Sequence, residues 1–140
     1  MTALVLAKYI VTKCVDDGCA ISNLQLQKIL YYIQRDYLHK HKEPAFDDDI
    51  EAWKFGPVVP EVYYAFCYYG AMSILNRYDE ADIEDCDRDL IDGIIEAKRE
   101  MEPWDLVAET HKTGGAWDKT FTASCGKPSV IPLELIRRDS

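Results

Sequence analysis

The sequence predicts a mainly α (α+β) fold: about five helices with a minor β-sheet or hairpin. Three observations carry this. Ser22-Asn23-Leu24-Gln25 is a capping box that opens an apolar stripe of helical period. A second helical pattern, Leu90, Ile94, Ala97 and Met101, runs from about Asp87 to Glu102. Between them, Ile50–Phe55 is short, rich in strand formers and followed by Gly56-Pro57. The chain has 140 residues, which suits one domain over 1–140.

In chain order, residues 3–16 place Ala3, Ala7, Ile10 and Cys14 at helical spacing, and Gly18 is the expected C′ stop. The next helix starts at the capping box, with Ile21 and Leu26 as its hydrophobic staple. It continues through Leu26, Leu30, Ile33 and Tyr37 and fades near His39–Lys42, before Pro44. Asp47-Asp48-Asp49 reads as a turn or an acidic lip. Ile50–Phe55 reads as a strand ended by Gly56-Pro57, with Gly56 in a backbone shape that a larger residue resists. Pro60 fits the first position of a helix whose inner stripe is Val62, Phe66 and Tyr69, ended by Gly70. Ser73–Tyr78 is either a short strand or irregular. Pro103 closes the helix from Asp87 and opens a short one over Trp104–Lys112, broken by Gly114-Gly115. Residues 116–131 read as loop and short strand, with a turn at Gly126-Lys127-Pro128 between Thr120–Cys125 and Ser129–Ile131. Pro132 opens a last helical turn, Leu133–Arg138.

Sixteen Lys and Arg face 25 Asp and Glu, a net charge of −9. This balance argues against nucleic acid, whose phosphates need clustered cations, and against an anionic membrane surface. No apolar run approaches the ~20 residues that span a bilayer, and a cytoplasmic location is expected. The five cysteines, Cys14, Cys19, Cys67, Cys86 and Cys125, form no C-x-x-C pair, so free thiols are expected and neither a metal site nor a redox motif. No P-loop, G-x-G-x-x-G, H-E-x-x-H or G-x-S-x-G is present, so no catalytic residue and no cofactor are assigned. Eight acids lie between Asp79 and Asp92: Asp79, Glu80, Asp82, Glu84, Asp85, Asp87, Asp89 and Asp92. They read as a solvated face or as a field that steers a basic partner.

Aromatic residues are concentrated. Tyr31, Tyr32, Tyr37, Tyr63, Tyr64, Tyr68 and Tyr69 fall on the two helices that flank Trp53. Adjacent pairs point about 100° apart, so each pair is expected to send one ring inward and one to a rim. Such residues build either a core or a protein-binding surface. Glu51–Glu61, with Trp53, Phe55, Gly56, Pro57 and Pro60, is a rigid aromatic segment suited to a corner or to recognition.

Ile21–Tyr32, Glu51–Tyr63 and Leu106–Trp117, together with the closing Val130–Ile136, resemble the Panacea domain family, also described as SocA- or GepA-like and phage-associated. The L-Q-K-hydrophobic-L-Y-Y and A-W-K-aromatic-G-P-V-V-P stretches carry the resemblance. In the third stretch Ala116 stands where the family often has proline before its tryptophan. The resemblance implies an antitoxin that neutralises a cognate toxin by direct binding, with a proteolytic adaptor for a Clp-type protease as one described mode. It implies a non-enzymatic role. It carries over Leu26, Gln27, Lys28, Tyr31, Tyr32, Trp53, Gly56, Pro57, Val58, Pro60, Tyr63, His111 and Trp117. Of these, Gln27, Lys28, Tyr31, Tyr32, Trp53, Gly56, Pro57, Tyr63, His111 and Trp117 are the expected partner-binding set, and the partner is expected to be a toxin, basic if the acidic clusters steer it. Two alternatives stay open: an enzyme built around His111 with Lys28, Glu61 or a cysteine, and a phage or mobile-element regulatory protein.

Overall fold

The computed structural model describes residues 1–78 and 85–140, with the side chains of Asp85 and Cys86 outside that description. The described elements are α1 (Ala3–Asp16), α2 (Asn23–His41), β1 (Glu51–Trp53), β2 (Gly56–Val58), α3 (Pro60–Phe66) with a 3₁₀ turn over Cys67–Tyr69, α4 (Asp85–Arg99), α5 (Pro103–Thr110), α6 (Ala116–Ala123), β3 (Ser129–Val130) and α7 (Leu133–Arg138). The fold is mainly helical with a small antiparallel sheet ordered β2-β1-β3. Among the described residues no helix is long and apolar enough to cross a membrane.

Helix α2 is the axis. It packs against α1, α3, α4, α5, α7 and β2, and residues 26–34 are buried without a break. A helix surrounded on most sides loses its polar face over that stretch, so Asn23, Gln27, Lys28 and Gln34 point into protein. The capping box forms as expected: the Ser22 hydroxyl accepts from Gln25 N–H, and the Gln25 side chain accepts from Ser22 N–H at 3.0 Å. At the other end Lys42 takes the left-handed conformation, φ 62°. Two glutamines two turns apart on one face of α2 hold the chain that follows. Gln34 donates to Phe46 O at 2.9 Å and accepts from Ala45 N–H at 2.7 Å. Gln27 does the same work on the hairpin described below. Asp48 caps α1 by accepting from Ala3 N–H at 2.9 Å.

Several local expectations need correction. Gly56-Pro57 does not end the strand. The turn is Lys54-Phe55, and Gly56 pairs with Trp53 as the first residue of β2. Thr120–Cys125 is not a strand. Ala116–Ala123 is helix, because the buried Ala116, Trp117 and Thr120 repeat at helical spacing, which outweighs the β-branched threonines. β3 pairs instead with β1, Ala52 opposite Ser129. The buried stripe of α4 is Ile91, Ile94 and Ile95, while Ala97 is exposed. Tyr31 and Tyr32 are both buried, against the one-in, one-out expectation: Lys98 and Arg35 lie over the Tyr32 ring, 4.2 and 4.8 Å from its centroid, and cover what would have been the rim. Of the acidic run, Asp79, Glu80, Asp82 and Glu84 fall outside the described residues. Asp92 accepts from Tyr9 OH at 2.6 Å and Asp87 lies 3.0 Å from His41 Nε2, so these two are structural partners.

Candidate functional site

A groove of about 300 Å³ opens between the first turns of α2, the β1–β2 hairpin and α3. Leu24, Gln27 and Lys28 come from α2, Trp53, Lys54, Phe55 and Val58 from the hairpin, and Tyr63 from α3. The first position of each group follows from local rules. The capping box fixes where α2 begins, Pro60 sets φ at the start of α3, and the two-residue turn at Lys54-Phe55 projects Phe55 into solvent.

The polar residues of the motif face inward and grip backbone. Gln27, 1% exposed, accepts from Val59 N–H and donates to Asn23 Oδ1, both at 2.9 Å. Asn23 in turn donates to Tyr63 O at 3.1 Å. This chain ties α2 to the β2–α3 junction. Lys28 is fully buried, and its ammonium donates to Pro57 O at 3.0 Å. Burial pushes its pKa down from the ordinary 10.5 to about 7. Gly56 has φ +114° and lies against Lys28 and Thr110: a Cβ there would come within 2.8 Å of Lys28 Cε and 2.8 Å of Thr110 Oγ1. Glycine is required both by the backbone angle and by the space.

The aromatic rings form two layers. Trp53 packs on Tyr63 at 5.0 Å and Tyr64 at 6.2 Å, and its Nε1 donates to Glu51 at 2.9 Å. Phe55 packs edge-on against Trp104 at 5.3 Å. Trp104, packed on Phe55, is 61% exposed and Tyr64, packed on Trp53, 63%, while Tyr68 at 94% and Met72 at 74% neighbour the groove residues Cys67, Gly70 and Ala71 along the chain. Behind the hairpin, Trp117 is sandwiched between His111 at 3.7 Å and Phe121 at 4.7 Å, and donates to Trp53 O at 2.7 Å. His111 follows the last residue of α5. Its pKa is held below the usual histidine range by burial and then by the Lys28 charge, against an opposing pull from Asp118. Its Nε2 is buried with no hydrogen-bond partner among the described residues.

The predicted set thus divides. Gln27, Lys28, Trp53 and Tyr63 line the groove. Gly56 and Pro57 shape its floor through Lys28. His111 and Trp117 brace the far side of the hairpin. Tyr31 and Tyr32 lie elsewhere in the core, where Tyr31 OH donates to the Asp139 carboxylate. Asn23, Thr110 and Trp104 escaped the sequence reading as site residues, and Phe55 and Tyr64, noted there among the aromatic residues, were left out of the partner-binding set. Asn23 sits inside the capping box, where its side chain looks incidental, and Trp104 behind Pro103 looks like an ordinary helix start.

The chain matches the antitoxin SocA-like, Panacea domain family over residues 26–118. It belongs to that family. It is 38% identical over 110 residues to Antitoxin SocA of Caulobacter vibrioides (strain NA1000 / CB15N), a match covering 70% of this chain and 58% of that relative. The chain therefore spans less than two thirds of the relative's length. No solved structure matches it. For this Panacea domain, the matched segment runs from Leu26 to Asp118 and so takes in the whole hairpin, Lys28, His111 and Trp117. It leaves out α1, β3 and α7.

Proposed function

We propose that this Panacea domain is a non-enzymatic antitoxin module that neutralises a cognate toxin by direct binding through the groove and its aromatic rim. Family membership supports the antitoxin class. The observation that carries the binding face is the exposed aromatic edge of the groove, Phe55 with Trp104 packed on it and Tyr64 packed on Trp53. Aromatic side chains around a pocket are the usual anchors of protein interfaces. Gln27, Gly56, Pro57 and Trp117 serve in this reading as scaffold that holds Trp53 and Phe55 in place. Tyr31 and Tyr32 support it from the core. A role as adaptor that passes the toxin to a Clp-type protease is the finer reading implied by the family resemblance, and the acidic residues at Asp47, Asp49 and Glu51 favour a partner of basic net charge.

Co-expression tests the proposal. The product of the neighbouring gene should arrest growth alone and be tolerated with this protein. Trp53→Ala should weaken rescue while the purified variant keeps its cooperative unfolding. A harmless neighbour, with no complex on co-purification, refutes it.

A further inference from the structure

Lys28 is a buried cation without an anion. Its ammonium has three N–H donors, and Pro57 O at 3.0 Å takes one. Among the described residues no carboxylate forms an ion pair with it. The other titratable groups near it do not help. His111, at the end of α5, feels the Lys28 charge and carries its own buried, unpartnered Nε2. Lys54, from the hairpin turn, lines the same groove. Glu51 is engaged by Trp53 Nε1, and the Thr110 hydroxyl donates to Val107 O at 2.8 Å. One nitrogen suited to an anion, Lys28 Nζ, therefore belongs to a groove whose apolar walls are Leu24, Trp53, Phe55, Val58 and Tyr63. Exposed charges of both signs flank the groove residues in the chain: Lys54 beside Trp53 and Phe55, Glu61 at the start of α3, and Glu102 and Asp105 on either side of Pro103-Trp104. A complementary ligand is acidic at its tip and apolar along its stem.

We propose that the groove receives a carboxylate-bearing anchor of the protein partner, an acidic side chain set among apolar residues, which pairs with Lys28 while Trp53, Phe55 and Tyr63 enclose its stem. The inference rests on the binding reading above and adds the chemistry of the anchor. Pairing in a water-poor groove favours the charged lysine, so occupancy of the site is coupled to proton uptake on Lys28.

Two measurements test it. In the first, the unmodified protein is titrated with 3-phenylpropionate and with its uncharged amide, followed by tryptophan fluorescence and amide chemical shifts of groove residues. At about pH 6.5, where Lys28 carries its proton, the carboxylate is expected to bind at least ~5-fold more tightly than the amide, and the preference should vanish near pH 9. Equal affinities at the lower pH overturn the proposal. In the second, dissociation constants for the co-encoded toxin are compared for the wild type, Lys28→Met and Trp53→Ala. Lys28→Met is expected to weaken binding about tenfold. If Trp53→Ala weakens binding and Lys28→Met, still folded, does not, the anchor is wrong and the binding face stands. If neither variant weakens it, the face itself is wrong.

Discussion

Lys28→Met should make this protein more stable at neutral pH, and should remove most of its pH dependence between pH 7 and 9. The folded lysine titrates at about 7 and the ordinary value is 10.5. Between these values the unfolded chain binds a proton that the folded chain does not, so stability rises with pH across the window and levels off below its lower edge. Lys28 is fully buried, so solvent screening does not reduce the effect. At about 1.4 kcal/mol per pH unit the whole window amounts to roughly 5 kcal/mol, of which about 4 is still lost at pH 7. Between pH 7 and pH 9 the wild type should gain about 2 kcal/mol. Methionine has nearly the same length and no charge to desolvate, but it leaves Pro57 O unpaired, a penalty of about 1–3 kcal/mol. The net expectation at pH 7 is a gain of roughly 1–3 kcal/mol. Burial also raises the Tyr31 and Tyr32 phenols, and their opposing effect begins only above the ordinary tyrosine value of 10.0. Urea unfolding midpoints at pH 7, 8 and 9 give the answer. A wild type with flat stability over this range, or a Lys28→Met variant that keeps the wild-type slope, refutes the reasoning.

Three further substitutions probe the frame around the groove. Gly56→Ala should cost at least about 2 kcal/mol, since the new Cβ meets Lys28 and Thr110 at a backbone angle alanine avoids; a thermal melt within a degree of wild type contradicts this. Gln27→Leu should cost about 1–3 kcal/mol by leaving the buried Val59 N–H without an acceptor, read by denaturant unfolding. Tyr68→Ala, at a side chain 94% exposed, should change stability by less than about 0.5 kcal/mol while weakening toxin binding in a direct titration. Unchanged affinity there would place the partner away from the 3₁₀ turn.

Much of this arrangement was legible from local rules, and the exceptions share a cause. Capping boxes, prolines at helix starts and glycines at positive φ are decided by neighbouring atoms, so α1, the start of α2, α3 and α7 could be read directly. α6 could not. Its threonines favour strand locally, and the burial of Ala116, Trp117 and Thr120, with the Trp117 hydrogen bond to Trp53 O and the His111–Trp117–Phe121 stack, favours the helix. The same holds for Tyr32: its burial depends on Lys98 and Arg35 arriving from α4 and the next turn of α2. At the site, Trp53, Lys28 and Gly56 stood out by residue type. That Gly56 is empty because Lys28 runs beneath it is a contact between α2 and β2, which no spacing along the chain encodes. Asn23 was hidden for the same reason, its partner Tyr63 O being forty residues away.

The lysine itself argues against a purely architectural motif. Gln27 already fastens α2 to the hairpin through Val59 N–H, with both ends of its amide satisfied. Lys28 adds one hydrogen bond to Pro57 O, worth about 1 kcal/mol net, against a desolvation cost several times larger. A neutral side chain of similar length would hold the hairpin at lower cost. Strongly perturbed titratable groups cluster at functional sites. Here the groove beside Lys28 is concave and apolar, and its rim is exposed. Under the proposed pairing, the stability penalty of the protein alone is tied to the affinity of the complex: the charge whose burial destabilises the fold is the charge a partner's carboxylate would neutralise.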